Sequence, residues 1–165
     1  MDIIVAVSEN WGIGKSNKLL FNIPDDMARF RALSRGKTLI MGRETLESLP
    51  GGKPLPGRRN IVLTHRENYD AKGAEVVGSF KELFELLGEG IEDAALIGGG
   101  SLFSQLLSKC RKAYVTKIFA APDADRYFPD LDADPEWVLE SDEGDRYYND
   151  LRYRFLVYSN KTPEC

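Results

Sequence analysis

Two short apolar runs in this chain end in glycine and lead straight into a helix start, and no other feature restricts the fold as much. The first is Ile40-Met41-Gly42-Arg43-Glu44-Thr45 and the second is Ile97-Gly98-Gly99-Gly100-Ser101. A run without polar alternation suits a strand covered on both faces, as in a parallel sheet. Glycine permits close backbone approach, and a helix start offers unpaired N–H groups to an anion. Taken singly, each stretch is either a tight strand-to-helix turn or a phosphate site, and both readings stand. Two of them in one small chain fit a molecule carrying a pyrophosphate, bound across the carboxyl ends of the strands. Neither is a GxGxxG fingerprint, and no Gly-Lys-Ser/Thr follows, which disfavours kinase and nucleotide-hydrolase chemistry.

The rest of the chain continues the alternation. Strands are predicted over residues 3–7, 38–41, 60–64, 75–77, 94–97, 113–119, 137–139 and 151–159. Helices are predicted from Pro24 to about Leu33, with Gly36 as C-cap, and over Arg43–Leu49. Ser79-Phe80-Lys81-Glu82 forms a capping box ahead of Phe80, Leu83, Phe84 and Leu87 at helical spacing. Leu102, Phe103, Leu106 and Leu107 mark a further helix. In the last strand Leu151, Tyr153, Phe155 and Val157 alternate with Arg152 and Arg154, which suits one solvated face and an antiparallel neighbour. The fold class expected is α/β, a single domain with a mainly parallel eight-stranded sheet, an antiparallel C-terminal strand and flanking helices. Residues 8–22 read as a long polar loop and residues 50–57 as a rigid loop of turn residues.

With 165 residues, one domain is the default. A net charge of −4 argues against a general nucleic-acid or anionic-membrane binder and leaves room only for a local basic patch. No apolar run is long enough to span a bilayer, and Met-Asp-Ile-Ile-Val-Ala-Val reads as a first strand rather than a signal peptide. Cys110 and Cys165 suggest no disulfide framework. These features point to the cytoplasm. One histidine and no cysteine cluster make a zinc site unexpected, and no metal is predicted.

The sharpest candidate for chemistry is Asp26. In Ile23-Pro24-Asp25-Asp26-Met27-Ala28-Arg29-Phe30, proline suits the first helical position and both acids fall in the first turn. Asp25 reads as a solvent-facing helix-start acid. Asp26 shares a face with Phe30, beside Met27, so it is a helix-start acid or a binding carboxylate on an apolar face. Thr64-His65-Arg66, at a strand end, offers another phosphate position or an incidental surface histidine. Arg58, after the stiff Lys53-Pro54-Leu55-Pro56-Gly57 loop, is either solvated or a carboxylate clamp. No Ser/His/Asp or Cys/His arrangement is present.

In order along nearly the whole chain, these motifs resemble the dihydrofolate reductase family, bacterial chromosomal type. Trp11-Gly12-Ile13-Gly14 resembles the start of its mobile loop, and Asn22-Ile23-Pro24-Asp25-Asp26-Met27 its carboxylate helix. Ile40–Thr45 and Ile97–Gly100 resemble its two cofactor turns, and Pro54–Asn60 its folate-tail loop. Tyr114-Val115-Thr116 and Asp125-Arg126-Tyr127-Phe128-Pro129 match in order and spacing. The resemblance implies one domain over residues 1–165, with an adenosine-binding subdomain over about residues 37–88. It implies NADPH as cofactor, held by Ala6, Ile13, Gly14, Leu19, Gly42, Arg43, Glu44, Thr45, Leu63, Thr64, His65 and residues 97–103, that is Ile97, Gly98, Gly99, Gly100, Ser101, Leu102 and Phe103. Within that set Arg43, Thr64 and His65 would face the adenosine 2′-phosphate. The substrate implied is 7,8-dihydrofolate, with the pterin on Asp26 and among Ile4, Val5, Ala6, Met27, Phe30 and Ile97. Leu49 and Leu55 would line the benzoyl part, Arg58 would bind the glutamate carboxylate, and Thr116 would hydrogen-bond Asp26. Hydride would pass to C6 with protonation at N5, supplying one-carbon metabolism. A monomer is expected.

Four positions depart from the family pattern. Phe21 stands at a catalytic position where a tryptophan usually holds an ordered water, and phenylalanine has no donor. Leu20 replaces a common proline, Phe103 a common tyrosine, and Leu19 a frequent methionine. Two alternatives remain at this stage. One is a pterin- or pyrimidine-reducing enzyme on the same fold. The other is a non-catalytic NADPH- or folate-binding protein.

Overall fold

A computed structural model describes residues 1–164; Cys165 lies outside the described residues. The strands are β1 Asp2–Ser8, β2 Gly12–Lys15, β3 Lys18–Leu19, β4 Thr38–Gly42, β5 Arg59–Leu63, β6 Glu75–Val77, β7 Ala94–Gly98 and β8 Lys112–Ile118. They continue with β9 Arg126–Tyr127, β10 Trp137–Asp142, β11 Arg146–Tyr148 and β12 Leu151–Asn160. The α-helices are α1 Pro24–Ser34, α2 Arg43–Ser48, α3 Phe80–Leu87 and α4 Gly100–Leu106.

The main sheet runs in the order β10-β12-β8-β1-β7-β4-β5-β6, with β11 added beside β12. Every ladder from β8 to β6 is parallel, while β12 is antiparallel to β8, β10 and β11. All eight expected strands are present. The central ones are fully covered, as their unbroken apolar runs require: Leu39, Ile40, Met41, Ile61, Val62 and Leu96 are 0% exposed. Alternation along β1 divides the core. Ile3 and Val7 join the largest cluster with Val5 against it, whereas Ile4 packs against a second cluster and Ala6 against a third.

The capping box forms as expected at Ser79, whose Oγ accepts the Glu82 N–H at 3.1 Å. The Glu82 carboxylate reaches back to the N–H of Gly78 rather than to that of Ser79, at 2.8 Å. Helix α1 ends at Ser34, and Gly36 takes the positive φ, +72°, that turns the chain towards β4. Two features differ from expectation. The loop over residues 8–22 contains β2 and β3, which join β9 in a separate three-stranded sheet. Its hairpin turn uses Ser16 and Asn17 at φ 50° and 62°, the left-handed pair that a tight two-residue connection needs. The second addition is β11, a three-residue strand paired with the start of β12.

Candidate active site

Sheet topology creates a gap at the carboxyl edge. The β1–β7 ladder stops at Ile3↔Leu96, but β1 stays paired with β8 as far as Ser8↔Ile118 and β7 with β4 as far as Met41↔Gly98. Beyond Ile3 the two central strands therefore part, and Ile4, Val5 and Ala6 on one side face Ile97 and Gly98 on the other without a ladder between them. A split between central parallel strands is where ligands of such sheets enter.

Helix α1 brings a carboxylate to this gap. Ile23 is its N-cap, Pro24 begins it, and Asp26 falls in its first turn. The Thr116 hydroxyl donates to Asp26 Oδ1 at 2.6 Å, and Thr116 itself pairs with Ala6. Burial pushes the Asp26 carboxyl above the usual carboxylate range, while the Thr116 hydrogen bond and the Arg29 charge oppose that rise. Asp25 is not the purely solvated acid expected. Its Oδ2 accepts from Tyr153 Oη at 3.0 Å and lies 3.3 Å from Arg146 Nη1.

The other predicted substrate positions gather on one apolar cluster. Ile4, Phe30, Leu49, Leu55 and Ile97 are all partly buried against the same cluster, built on Leu39, Met41, Leu46 and Val62. Met27 is 38% exposed on α1 beside them. The Val5 side chain points away, into the largest cluster, so only its backbone faces this side. Phe21 packs with Ala6 against Ile23, Ile118, Tyr153 and Phe155.

Arg58 is held ready at the far end. Its Nε donates to the buried Ser34 Oγ at 2.9 Å and its Nη1 to the Pro56 carbonyl at 3.0 Å. Asn60 closes the loop before it: its Oδ1 accepts from the Leu55 N–H at 3.1 Å, and its Nδ2 donates to the carbonyls of Leu55 and Arg58. The sequence reading gave Ser34 and Asn60 no role. Asn60 carried a signal nonetheless, as a polar residue opening a strand that is otherwise apolar.

The two glycine turns touch. A Cβ on Gly98, at φ +149°, would meet Thr45 Oγ1 at 2.9 Å, and one on Gly42 would lie 3.9 Å from the Gly99 nitrogen. The Gly98–Gly99 peptide is cis. Leu63 pairs with Gly42, so the ends of β7, β4 and β5 line up along one edge. A Cβ on Gly100 would meet the Tyr127 carbonyl at 3.3 Å and Ile13 at 3.8 Å, which brings the small sheet over this edge. Gly14 lies on the same strand, where its carbonyl accepts from the Asp125 N–H, and the Asp125 carboxylate accepts from Ser16 N–H at 3.0 Å.

Some predicted positions are more distant or otherwise engaged. Leu19 is 72% exposed on β3. Phe103 is buried, its ring 4.9 Å from that of Phe128, and Leu102 is buried near Gly42. Arg43 is paired along α2 with Glu47 at 2.8 Å and Glu44 at 3.7 Å, and Glu44 also lies 3.8 Å from Arg126. Thr64 is buried and accepts from the Arg66 N–H, while His65 and Ser101 are exposed. Among the described residues there is no cluster of His, Cys, Asp or Glu suited to a metal.

A split parallel sheet with paired glycine turns at its carboxyl edge, and a half-buried carboxylate held by Thr116 on the β1 side of the split, is the arrangement of a nucleotide-binding α/β protein. The comparisons agree in kind. The sequence model of the dihydrofolate reductase family matches residues 1–160. Dihydrofolate reductase of Bacillus subtilis (strain 168) is 36% identical over 162 residues, 98% of this chain and 95% of that protein. The Haemophilus influenzae enzyme of that name is 40% identical over 161 residues, 96% of this chain and 98% of its own length. That of Neisseria gonorrhoeae is 37% identical over 159 residues, 96% of this chain and 97% of its own. The chain belongs to the dihydrofolate reductase family.

Proposed function

We propose that this chain reduces 7,8-dihydrofolate to 5,6,7,8-tetrahydrofolate, an oxidoreductase supplying one-carbon metabolism. The observation that carries this reading is the Thr116–Asp26 hydrogen bond, made where Thr116 pairs with Ala6 on the stretch of β1 that has parted from β7. NADPH, the cofactor of the family, fits the glycine cradle at residues 42 and 98–100, where a side chain on Gly98 would crowd Thr45 and one on Gly100 would press on the Tyr127 carbonyl. When bound, it supplies the hydride that reaches C6.

The protein's own groups do the rest. Asp26 holds the pterin through its 2-amino group and N3 and polarises the ring, with water as the immediate donor to N5. Thr116 fixes one carboxylate oxygen. Ile4, Phe30, Leu49, Leu55 and Ile97 exclude water along the pterin and benzoyl parts. Arg58, oriented by Ser34 and Asn60, clamps the glutamate carboxylate. Arg43, Thr64 and His65 favour a 2′-phosphate, hence NADPH over NADH. Residues 37–88 act as the adenosine-binding part of one domain. The net charge of −4 supports a protein that does not bind nucleic acid, no helix among the described residues is long and apolar enough to cross a membrane, and a cytoplasmic monomer is the state proposed.

The test is the loss of NADPH absorbance with and without dihydrofolate, with NADH as comparison. Dihydrofolate-dependent oxidation preferring NADPH is expected. No oxidation by protein shown to bind NADPH would overturn the substrate, and other pterins and pyrimidines would be tried next.

A further inference from the structure

Arg29 is a charged group that the reading above leaves without a role. It lies on α1 one turn beyond Asp26 and is half-buried. Its guanidinium carbon sits 4.4 Å from the centroid of the Phe155 ring, and that of Arg146 sits 4.8 Å from the same ring. Phe155 is paired with Thr116 across β12 and β8. The ring that carries Arg29 is therefore the register partner of the residue whose hydroxyl donates to Asp26.

Long cationic side chains usually turn their charge to water. This one is half-buried on the same helix as Asp26, with its charge laid on the Phe155 ring, in surroundings where a charge acts more strongly than at the surface. The charged and titratable groups around the pair are Asp25 on α1, Tyr114 on β8, Tyr153 on β12, Arg146 on β11 and Glu143 just before it. Arg146 is engaged elsewhere, 3.3 Å from Asp25 and 3.6 Å from Glu143, and Tyr153 donates to Asp25. Thr116 and Arg29 remain as the groups that favour the ionised form of Asp26. A guanidinium keeps its charge at every working pH, so its effect on the carboxylate is constant.

We propose that Arg29 is a positioning residue for this reaction: laid on the Phe155 ring one turn along α1 from Asp26, its guanidinium supplies a fixed positive charge behind the carboxylate that holds the substrate. The proposal rests on the reading of Asp26 as the substrate-holding group, but the ionisation of Asp26 can be followed without substrate.

The experiment is a carbon-13 NMR titration of the Asp26 carboxyl in the whole chain, its signal assigned by loss in Asp26→Asn. Arg29→Gln and Arg29→Met both remove the charge, and methionine keeps an apolar stem on the ring. In either variant the midpoint of Asp26 is expected to move to higher pH, while Arg29→Lys returns it towards the parent value. Arg31→Gln removes an exposed charge from the last turn of the same helix and leaves the midpoint in place. The pH profile of kcat/KM for dihydrofolate shifts in the same direction as the carboxyl, with KM for NADPH unchanged. An unmoved midpoint in a folded neutral variant would overturn the proposal, as would an equal movement in Arg31→Gln. Absence of dihydrofolate reduction by the parent chain would overturn the function instead, and the carboxyl titration would still decide what Arg29 does to Asp26.

Discussion

Burial and hydrogen bonding pull the Asp26 carboxyl in opposite directions, and burial is the larger influence. A carboxyl whose folded pKa is raised binds its proton more tightly in the folded state than in the unfolded one. Its contribution to stability is complete below the ordinary value of 3.8 and is lost as pH rises through the raised folded value. Asp26→Asn removes that charge in nearly the same shape. Thermal melts should show the variant more stable than the parent at pH 7, with the gap closing once pH falls below 3.8. The same variant should keep NADPH binding and lose turnover near neutral pH by on the order of a hundredfold or more, the range for losing a preorganised electrostatic group. Near-parent turnover would remove Asp26 from the centre of the mechanism. The sequence placed this residue well, because proline, helix start and i,i+4 spacing to Phe30 are local signals. It could not supply the Thr116 hydroxyl as a geometric partner, since 90 residues separate the two; that pairing came from the resemblance alone.

At the scale of elements, the proline loop and the glycine turns behave as small rigid parts. Asn60 makes three hydrogen bonds that close residues 55–60. Each is worth about 1 kcal/mol net, so Asn60→Ala should lower stability by roughly 2–3 kcal/mol in urea unfolding. Because the Arg58 backbone carbonyl then loses its Asn60 donor, KM for dihydrofolate should rise with little change in kcat; an unchanged KM would show that the loop does not orient Arg58. Gly98→Ala is a sharper case. Its Cβ would stand 2.9 Å from Thr45 Oγ1 in a φ of +149°, so NADPH binding measured by fluorescence should fall more than overall helicity. Both turns and the capping box were legible in the sequence, since each is written in adjacent residues. The sheet of β2, β3 and β9 was not. Its strands are two to four residues long and lack apolar alternation, and β2 pairs with β9 across more than 100 positions, as Gly14 does with Arg126. Ser16-Asn17 is the single local hint, and a polar pair of this kind is equally at home in a loop.

For the whole molecule, the main question is whether residues 37–88 move as a unit of their own. They contribute β4, α2, β5, β6 and α3, but β4 is laddered to β7 from Thr38↔Ala94 to Met41↔Gly98, so the sheet is continuous through both parts. A continuous ladder couples their unfolding, and a ligand held by Gly42 on one side and Gly98–Gly100 on the other would stabilise both together. A ligand at about 100 times its Kd adds about 2.7 kcal/mol of stability. In a chain of this length each kcal/mol raises Tm by about 2–4 °C, so saturating NADPH should raise a single melting transition by roughly 5–11 °C. NADH at the same concentration should raise it less, because Thr64, His65 and Arg43 would have no 2′-phosphate to meet. Differential scanning calorimetry reads both quantities at once. Two separable transitions, of which NADPH moves only one, would show that residues 37–88 unfold independently despite the ladder. Equal shifts from NADPH and NADH would remove the 2′-phosphate role from those three residues while leaving the glycine cradle in place.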